Sequence, residues 1–95
     1  MSRYFLSSCA EADMLAIWEY TAESDLPAAD RMVDRFTIAF ERVTTFPEAG
    51  TLYPHDKGDF RFVVIAPYLI FYRIVGTDID IIRILHSARR WETLL

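Results

Sequence analysis

The sequence predicts one α+β domain, residues 1–95, in which a helical hairpin packs on one face of a small, mostly antiparallel sheet. Two observations predict this fold class. Helical patterns occupy the first half of the chain, and runs rich in β-branched and aromatic residues follow from Phe60 onwards. A chain of 95 residues is also long enough to enclose a single core. The predicted order is β-α-α-β-β-β.

The chain opens with a short strand and a first helix. Arg3–Leu6 is an apolar stretch that suits an edge strand. Ser8 and Glu11 have the spacing of a capping box, which predicts a helix from about Cys9 to Glu23. Residues at helical spacing form one apolar stripe on this helix: Ala10, Met14, Ile17, Trp18 and Thr21.

A second helix follows the break at Ser24–Pro27. It is predicted from about Leu26 to Thr45, because proline is tolerated in the first turn of a helix. Its apolar stripe is the most regular pattern in the chain: Ala29, Met32, Val33, Phe36, Phe40 and Val43. The linker between the helices is short, so we expect an antiparallel hairpin.

The second half of the chain predicts a three-stranded meander. Residues 47–59 form a turn-rich connection, and strands are expected at Phe60–Ala66, Tyr68–Val75 and Ile79–Leu85. Short turns at 66–67 and 76–78 join them. Because both faces of these strands are apolar, we expect both faces to be covered. The helices cover one face, and the second face is the expected site of a partner.

The charge distribution limits the kinds of partner. The net charge is −4, with −5 on residues 1–50 and +1 on residues 51–95. Phosphate contact needs a basic footprint, so we expect no nonspecific binding of nucleic acid by the whole molecule, and no direct sequence-specific binding either. Any local contact of that kind belongs to the C-terminal half.

The sequence also predicts a cytoplasmic protein without a cofactor or metal ion. No apolar run is long enough to cross a bilayer, and the N-terminus has no signal-peptide core. The single cysteine, Cys9, cannot form an internal disulfide, and we interpret it as a small buried residue. His55, Asp56, Asp59 and His86 have no recognised metal-ligand spacing.

An ordered set of short motifs resembles the ParE branch of the RelE/ParE toxin superfamily. The motifs extend over nearly the whole chain and are Phe5-Leu6-Ser7, Asp13-Met14-Leu15-Ala16-Ile17-Trp18-Glu19-Tyr20, Ala28-Ala29-Asp30, Phe46-Pro47-Glu48-Ala49-Gly50, Phe60-Arg61, Tyr68-Leu69-Ile70-Phe71-Tyr72-Arg73 and Ile82-Arg83-Ile84-Leu85-His86-Ser87-Ala88-Arg89. The two sharpest are the Ile-Phe-Tyr-Arg run and the Leu-His-Ser-Ala-Arg ending.

The resemblance implies the toxin of a type II toxin–antitoxin pair, neutralised by a ParD-like antitoxin that wraps along its surface. Members of the ParE branch act on DNA gyrase, whereas members of the RelE branch cleave mRNA in the ribosome. A third reading is an inactive relative that only binds its antitoxin. The fold of the family, β-α-α-β-β-β, agrees with the order predicted from the residue patterns.

Cleavage of RNA needs a group that deprotonates the 2′-hydroxyl and cations that stabilise the phosphorane. The candidates for these roles are Arg61, Arg73 and Arg83 as phosphate clamps and His86 as acid or base. The chain has a single lysine, Lys57, and nothing catalytic follows His86 except Arg89, Arg90 and Trp91. The shortage of lysines and of catalytic residues near the chain end favours a toxin that binds gyrase over an enzyme that cleaves RNA.

The C-terminal residues Arg89-Arg90-Trp91 are the main candidates for contact with a target, since arginine and tryptophan are enriched in interface hot spots. Arg73, Arg83 and His86 are further candidates for contact with target or antitoxin. Each has a structural alternative. Arg73 and Arg83 pair with a carboxylate or cover the core, and His86 is a hydrogen-bonded histidine at a strand end. The residues Arg89-Arg90-Trp91 form a frayed tail whose tryptophan covers the sheet. Ile38 lies on the polar face of the second helix and is either an ordinary surface residue or an antitoxin contact.

Overall fold

A computed structural model describes residues 2–95. The elements in chain order are β1 (Tyr4–Leu6), α1 (Ser8–Ala22), α2 (Leu26–Thr45), β2 (Thr51–His55), β3 (Gly58–Ile65), β4 (Tyr68–Val75) and β5 (Asp78–His86), with short 3₁₀ turns at Pro47–Ala49 and Trp91–Thr93. The strands form one sheet in the order β1-β5-β4-β3-β2. β1 runs parallel to β5 and all other neighbours are antiparallel, which confirms the α+β class.

α1 begins one residue earlier than predicted. Its cap is Ser7 and not Ser8, because the Ser7 hydroxyl accepts a hydrogen bond from the N–H of Ala10 at 3.0 Å. Ala10 lies in the core, as its place in the apolar stripe predicts, whereas Cys9 is exposed, so the interpretation of Cys9 as a buried residue is wrong.

α2 has the predicted bounds, Leu26–Thr45. The Asp25 side chain caps it by accepting from the N–H of Ala28 at 3.0 Å, and Pro27 occupies the first turn without loss of a hydrogen bond. The stripe of five buried residues on α2 faces the sheet: Ala29, Phe36, Ala39, Phe40 and Val43. With α1 and the inward side chains of β4 and β5, this stripe forms the main core.

The predicted connection over residues 47–59 is not a loop. Thr51–His55 forms β2, which pairs antiparallel with β3 from Thr51↔Phe62 to His55↔Gly58. The sequence hid this strand because Pro54 cannot donate to a sheet ladder, and β2 is an edge strand, where proline is tolerated. The sheet therefore has four consecutive antiparallel strands where three were predicted, and β3 and β5 each begin earlier than expected.

The turn before β2 is fixed by a buried tyrosine. The Tyr72 hydroxyl donates to the carbonyl of Pro47 at 2.6 Å and accepts from the N–H of Gly50 at 2.9 Å. Burial raises the pKa of Tyr72 above its ordinary value. A Cβ atom at Gly50 would lie 2.5 Å from the Tyr72 hydroxyl oxygen, so only glycine fits beneath it. We call these two hydrogen bonds of the Tyr72 hydroxyl, to Pro47 and Gly50, the Tyr72 bracket. The bracket holds the 3₁₀ turn in place and determines where β2 begins.

The second face of the sheet was expected to be covered by a partner, but the chain itself covers part of it. Leu69, Phe71 and Leu85 are buried on it, and Trp91, Leu94 and Leu95 pack against that cluster. The last residues of the chain therefore cover the centre of this face, as the structural alternative for Trp91 proposed. No helix within residues 2–95 has the length and apolar character to cross a bilayer.

Candidate functional site

The C-terminal tail, residues 87–95, folds back across the sheet after β5. The Ser87 N–H donates to the carbonyl of Pro67 at 2.9 Å, and the Arg89 N–H donates to the carbonyl of His86 at 3.0 Å. These bonds turn the chain away from the direction of β5. The 3₁₀ turn that follows places the Trp91 ring over the second face.

Trp91 closes an aromatic cluster on that face. Its ring centroid lies 5.2 Å from the rings of Phe71 and Tyr53 and 6.5 Å from that of Phe62. Aromatic pairs at such separations contribute beyond the area that they bury. Trp91 is thus the apolar anchor of the tail, and Arg89 and Arg90 lie immediately before it with exposed side chains.

Arg83 connects the tail to α1. Its Nε and Nη2 donate to the two carboxylate oxygens of Asp13 at 2.8 and 2.9 Å, and its Nη1 donates to the carbonyl of Leu94 at 3.0 Å. The hydrogen bond to Asp13 raises the pKa of the Arg83 guanidinium. Both side chains are mostly buried, with 20% of Arg83 and 15% of Asp13 exposed. Bidentate geometry of this kind makes a strong and directional pair.

The Asp13 carboxylate also closes an open edge of β5. β1 pairs with residues 79–81, and no other strand within residues 2–95 lies on that side of β5. Asp13 accepts from the N–H of Ile84 at 3.0 Å, and the Ser7 hydroxyl donates to the carbonyl of Ile82 at 2.7 Å. The N-terminal half of α1 therefore supplies the partners that a longer β1 would have supplied.

Arg73 is in a different environment. It lies opposite Asp80 across the β4–β5 ladder, and the two side chains form an ion pair at 3.4 Å with 42% and 37% of their surface exposed. The Nε atom of Arg73 is buried and has no hydrogen-bond partner. An exposed pair of this kind contributes little to stability.

Arg61, like Tyr72, binds the turn before β2. Its Nη1 donates to the carbonyl of Gly50 at 2.9 Å and to that of Glu48 at 3.3 Å. In the ladder it lies opposite Tyr72, whereas its neighbour Phe62 lies opposite Phe71. Arg61 is thus on the face of the sheet that carries the helices.

His86 lies at the end of β5 beside α1. Its Nδ1 accepts from the N–H of Ala88 at 3.0 Å, and its ring packs edge-on against Tyr68 at 5.4 Å. An open groove of about 620 Å³ adjoins it, lined by Ala16, Ile17, Tyr20, Pro67, Tyr68, His86 and Arg89. Burial raises the pKa of the Tyr68 hydroxyl, with a smaller contribution from Tyr20.

The candidate residues for RNA cleavage therefore lie in four different places. His86 borders the groove beside α1 together with Arg89, and Arg83 joins α1 to the tail. Arg73 pairs with Asp80, and Arg61 binds the turn before β2. The four residues proposed for RNA cleavage do not form one cluster.

Among residues 2–95, no three metal-ligating side chains lie together.

Sequence reasoning missed two residues of this arrangement. Asp13 was included in a motif of the resemblance but was given no role, although a carboxylate beside the apolar stripe of α1 is a signal for a buried partner. Tyr72 was read only as part of an apolar strand. Its hydroxyl requires a partner when buried, which is the only hint that the sequence contains.

Comparisons with known proteins agree with this architecture. The family model described as the ParE toxin of type II toxin-antitoxin systems, parDE, matches residues 4–91. Toxin RelE2 of Caulobacter vibrioides is 35% identical over 80 residues, which cover 84% of this chain and 89% of the relative. Toxin ParE1 of Mycobacterium tuberculosis is 29% identical over 88 residues, which cover 90% of each chain.

A solved structure described as the chromosomal ParDE TA system from P. aeruginosa has the same fold. The TM-score is 0.74 at 22% sequence identity, and the match covers 90% of this chain and 95% of that chain. Together with the family model, which spans nearly the whole domain, these relatives agree with the resemblance found in the sequence motifs. The chain belongs to the ParE toxin family of type II toxin–antitoxin systems, within the RelE/ParE superfamily.

Proposed function

We propose that this toxin poisons DNA gyrase by binding to it, and that a ParD-like antitoxin in the same cytoplasm neutralises it. One observation carries the proposal: the tail presents Arg89 and Arg90 on the surface beside the anchored Trp91, whereas the candidate catalytic arginines are engaged elsewhere. An exposed pair of arginines next to an aromatic anchor is suited to recognition of a protein surface.

The arrangement of the arginines also speaks against catalysis. A general base and its phosphate clamps must lie within hydrogen-bond reach of one substrate. Arg83 uses all three of its guanidinium nitrogens to bind Asp13 and Leu94, and Arg61 binds two backbone carbonyls through Nη1, so the two guanidinium groups serve structural contacts in different parts of the fold. A binding poison requires no such convergence.

Supercoiling by purified gyrase tests the proposal. Toxin freed from antitoxin should inhibit the reaction and accumulate cleaved plasmid. The double variant Arg89→Ala/Arg90→Ala should be at least tenfold less potent, because two interface cations are lost. Arg3→Ala/Lys57→Ala removes the same charge at exposed positions outside the tail and serves as the control. Equal potency of all three proteins would contradict the assignment of the tail as the target surface.

Deletion of residues 89–95 is a less informative test than the point variants. Such a truncation should weaken action on the target more than folding, but it also uncovers Leu69, Phe71 and Leu85. The point variants leave Trp91 and the hydrogen bond to Leu94 in place. Circular dichroism and thermal unfolding should therefore be unchanged in Arg89→Ala/Arg90→Ala.

The ribosome-dependent mRNA endonuclease stays the second candidate, because His86 and Arg89 line one groove. His86→Gln should then abolish cleavage of ribosome-bound mRNA while binding of antitoxin is retained. Arg83→Ala, the other variant that this candidate predicts to be inactive, also breaks the contact with Asp13 and is harder to interpret. Absence of both activities from folded, antitoxin-free protein would favour an inactive relative.

A further inference from the structure

One side of α2 carries a row of basic side chains. At about 100° per residue, Arg31, Arg35 and Arg42 fall within about 40° of one another around the helix axis, and Ile38 lies beside them. The acidic residues of α2 lie beyond Ile38, on the opposite side from Arg35. Asp34, Glu41 and Asp30 are about 60°, 80° and 100° from Arg31 around the axis. In a chain with a net charge of −4, this row is a local concentration of positive charge.

Within residues 2–95, these arginines form no ion pair with an acidic side chain. Among residues 2–95, ion pairs are formed only by Arg73 with Asp80 and by Arg83 with Asp13. Arg31, Arg35 and Arg42 are all exposed. Ile38 is also exposed, with 59% of its surface accessible. The row is therefore available to carboxylates of another molecule.

The row lies next to a strand edge that has no neighbour. β2 pairs with β3 only as far as Thr51↔Phe62, although β3 continues to Ile65. Residues 63–65 thus pair with β4 on one side, and no strand among the described residues pairs with them on the other. The edge is open because the Tyr72 bracket holds Gly50 in the preceding turn and prevents β2 from extending. Unpaired edges with β-branched residues are templates for an added strand.

An apolar pocket joins the row to the open edge. It has a volume of about 150 Å³ and is lined by Arg35, Ile38, Ala39, Arg42, Val63, Val64 and Ile65. A cavity of this size accommodates a group as large as benzene, so one aliphatic side chain fits. Val64 has 60% of its surface exposed and offers a second apolar contact.

We propose that this groove between α2 and β3 binds a short extended segment of the antitoxin that carries an aliphatic residue between two carboxylates. Naming the antitoxin as the carrier rests on the proposed function. The backbone of the segment adds to residues 63–65, its aliphatic side chain enters the pocket, and its carboxylates meet Arg35 and Arg42. Charge complementarity selects this occupant, because no acidic side chain in the part of the chain that the structure describes pairs with the row.

The geometry specifies the sequence pattern of the segment. Arg35 and Arg42 are about 10 Å apart along α2 at a rise of about 1.5 Å per residue. Side chains on one face of a strand repeat every second residue, at about 6.6 Å. Carboxylates four residues apart, with an aliphatic residue midway, therefore bracket the pocket within the reach of the arginine side chains. The pattern is Glu-Val-Leu-Val-Glu. Its leucine and glutamates point to the side of α2, and its two valines point to the opposite side of the sheet, where Val64 is exposed.

Titration of the ¹⁵N-labelled toxin with a blocked peptide containing Glu-Val-Leu-Val-Glu tests the proposal. Amide signals of residues 35–42 and 63–65 should shift, and a peptide with lysine in place of both glutamates should shift none. Affinity should fall as salt is added, because exposed charges are screened. Absence of shifts at millimolar peptide, or shifts centred on Trp91, would overturn the proposal.

Two charge-matched variants locate the site. Arg35→Glu/Arg42→Glu should weaken peptide binding at least tenfold, whereas Arg3→Glu/Lys57→Glu, which changes the net charge equally at exposed positions elsewhere, should leave it within twofold. All four positions are exposed, so both variants should fold, and circular dichroism checks this. Equal weakening by both variants would show a nonspecific charge effect and would overturn the groove assignment.

The outcomes separate this proposal from that of the target. The peptide titration contains no gyrase, and the supercoiling reaction contains no antitoxin. Binding of the peptide without inhibition of gyrase would support the groove as a binding site and contradict gyrase as the target. Inhibition of gyrase without binding of the peptide would support gyrase as the target and contradict the groove.

Discussion

The two faces of the sheet are covered in different ways. Two helices of 15 and 20 residues close one face, and the core beneath them includes Phe36, Phe40, Ile79 and Ile81, each at most 1% exposed. The other face is closed by the tail, through the ring of Trp91 and one hydrogen bond from Arg83. We therefore expect the helical face to contribute more of the stability and the tail-covered face to open locally more readily.

The largest contrast is expected between Phe36→Ala and Trp91→Ala. Phe36 is fully buried, so its truncation should lower the free energy of unfolding by about 3–5 kcal/mol. Trp91 is only partly buried, and its truncation should cost about 1–2 kcal/mol. Urea unfolding of both variants measures the difference. Equal costs would show that the tail belongs to the cooperative core.

Asp13→Asn should have the next largest effect, because it acts on both faces at once. The variant removes the charge that Arg83 needs and weakens the acceptor of the Ile84 N–H, at a cost of about 2 kcal/mol. Amide exchange should also accelerate at Leu94, whose carbonyl Arg83 holds. Asp30→Asn, in an exposed side-chain hydrogen bond with Trp18, is the matched control and should cost less. Unchanged amide exchange at Leu94 would show that the contact between Asp13 and Arg83 does not hold the tail in place.

Tyr72→Phe tests the bracket on the helical face. It leaves the Gly50 N–H and the Pro47 carbonyl without partners, which should cost about 1–2 kcal/mol at neutral pH. Burial raises the pKa of Tyr72 above the ordinary value of about 10, so the folded state retains a proton that the unfolded state loses. Stability should therefore fall as the pH rises above about 10.

The alkaline loss should be smaller in Tyr72→Phe than in the parent, since only Tyr68 of the two tyrosines with raised pKa is left. Unfolding in urea at pH 9 and pH 11 measures this change. The same loss in both proteins would contradict the assignment to Tyr72.

Arg73→Ala should have the smallest effect, within about 0.5 kcal/mol. Its ion pair with Asp80 is exposed, and its buried Nε lacks a hydrogen bond, so truncation removes a polar atom that has no partner. Thermal unfolding measures the change. A loss above about 1 kcal/mol would place Arg73 among the residues that support the tail-covered face.

Much of the fold could be predicted because local patterns determine it. The apolar stripe of α2 has the helical period, and its cap and proline lie where the helix begins. The strands from Tyr68 onwards are rich in β-branched residues, which specify their type without any long-range contact. β2 was missed because Pro54 opposes a strand locally, and only the position of β2 at the sheet edge makes proline acceptable.

The candidate site was less predictable, because a single irregularity in register decides it. Val75 pairs with Asp78 and Arg73 with Asp80, a register that would set Arg83 opposite Ile70 on the helical face. A bulge after Phe71 skips one residue of β5, so Arg83 pairs with Phe71 and reaches the tail. The side-chain period of a strand is two, and a slip of one residue reverses its faces.

The sequence by itself determined the family, the fold class and the helix bounds to within one residue, and it predicted the candidate residues of the tail. These depend on periodicity, capping and local motifs, which neighbouring residues encode. Only the tertiary structure decided that Arg83 binds Asp13, that Trp91 covers the second face and that β3 keeps an open edge beside the arginines of α2. Each of these depends on residues far apart in the chain, and their distances are set by register and packing.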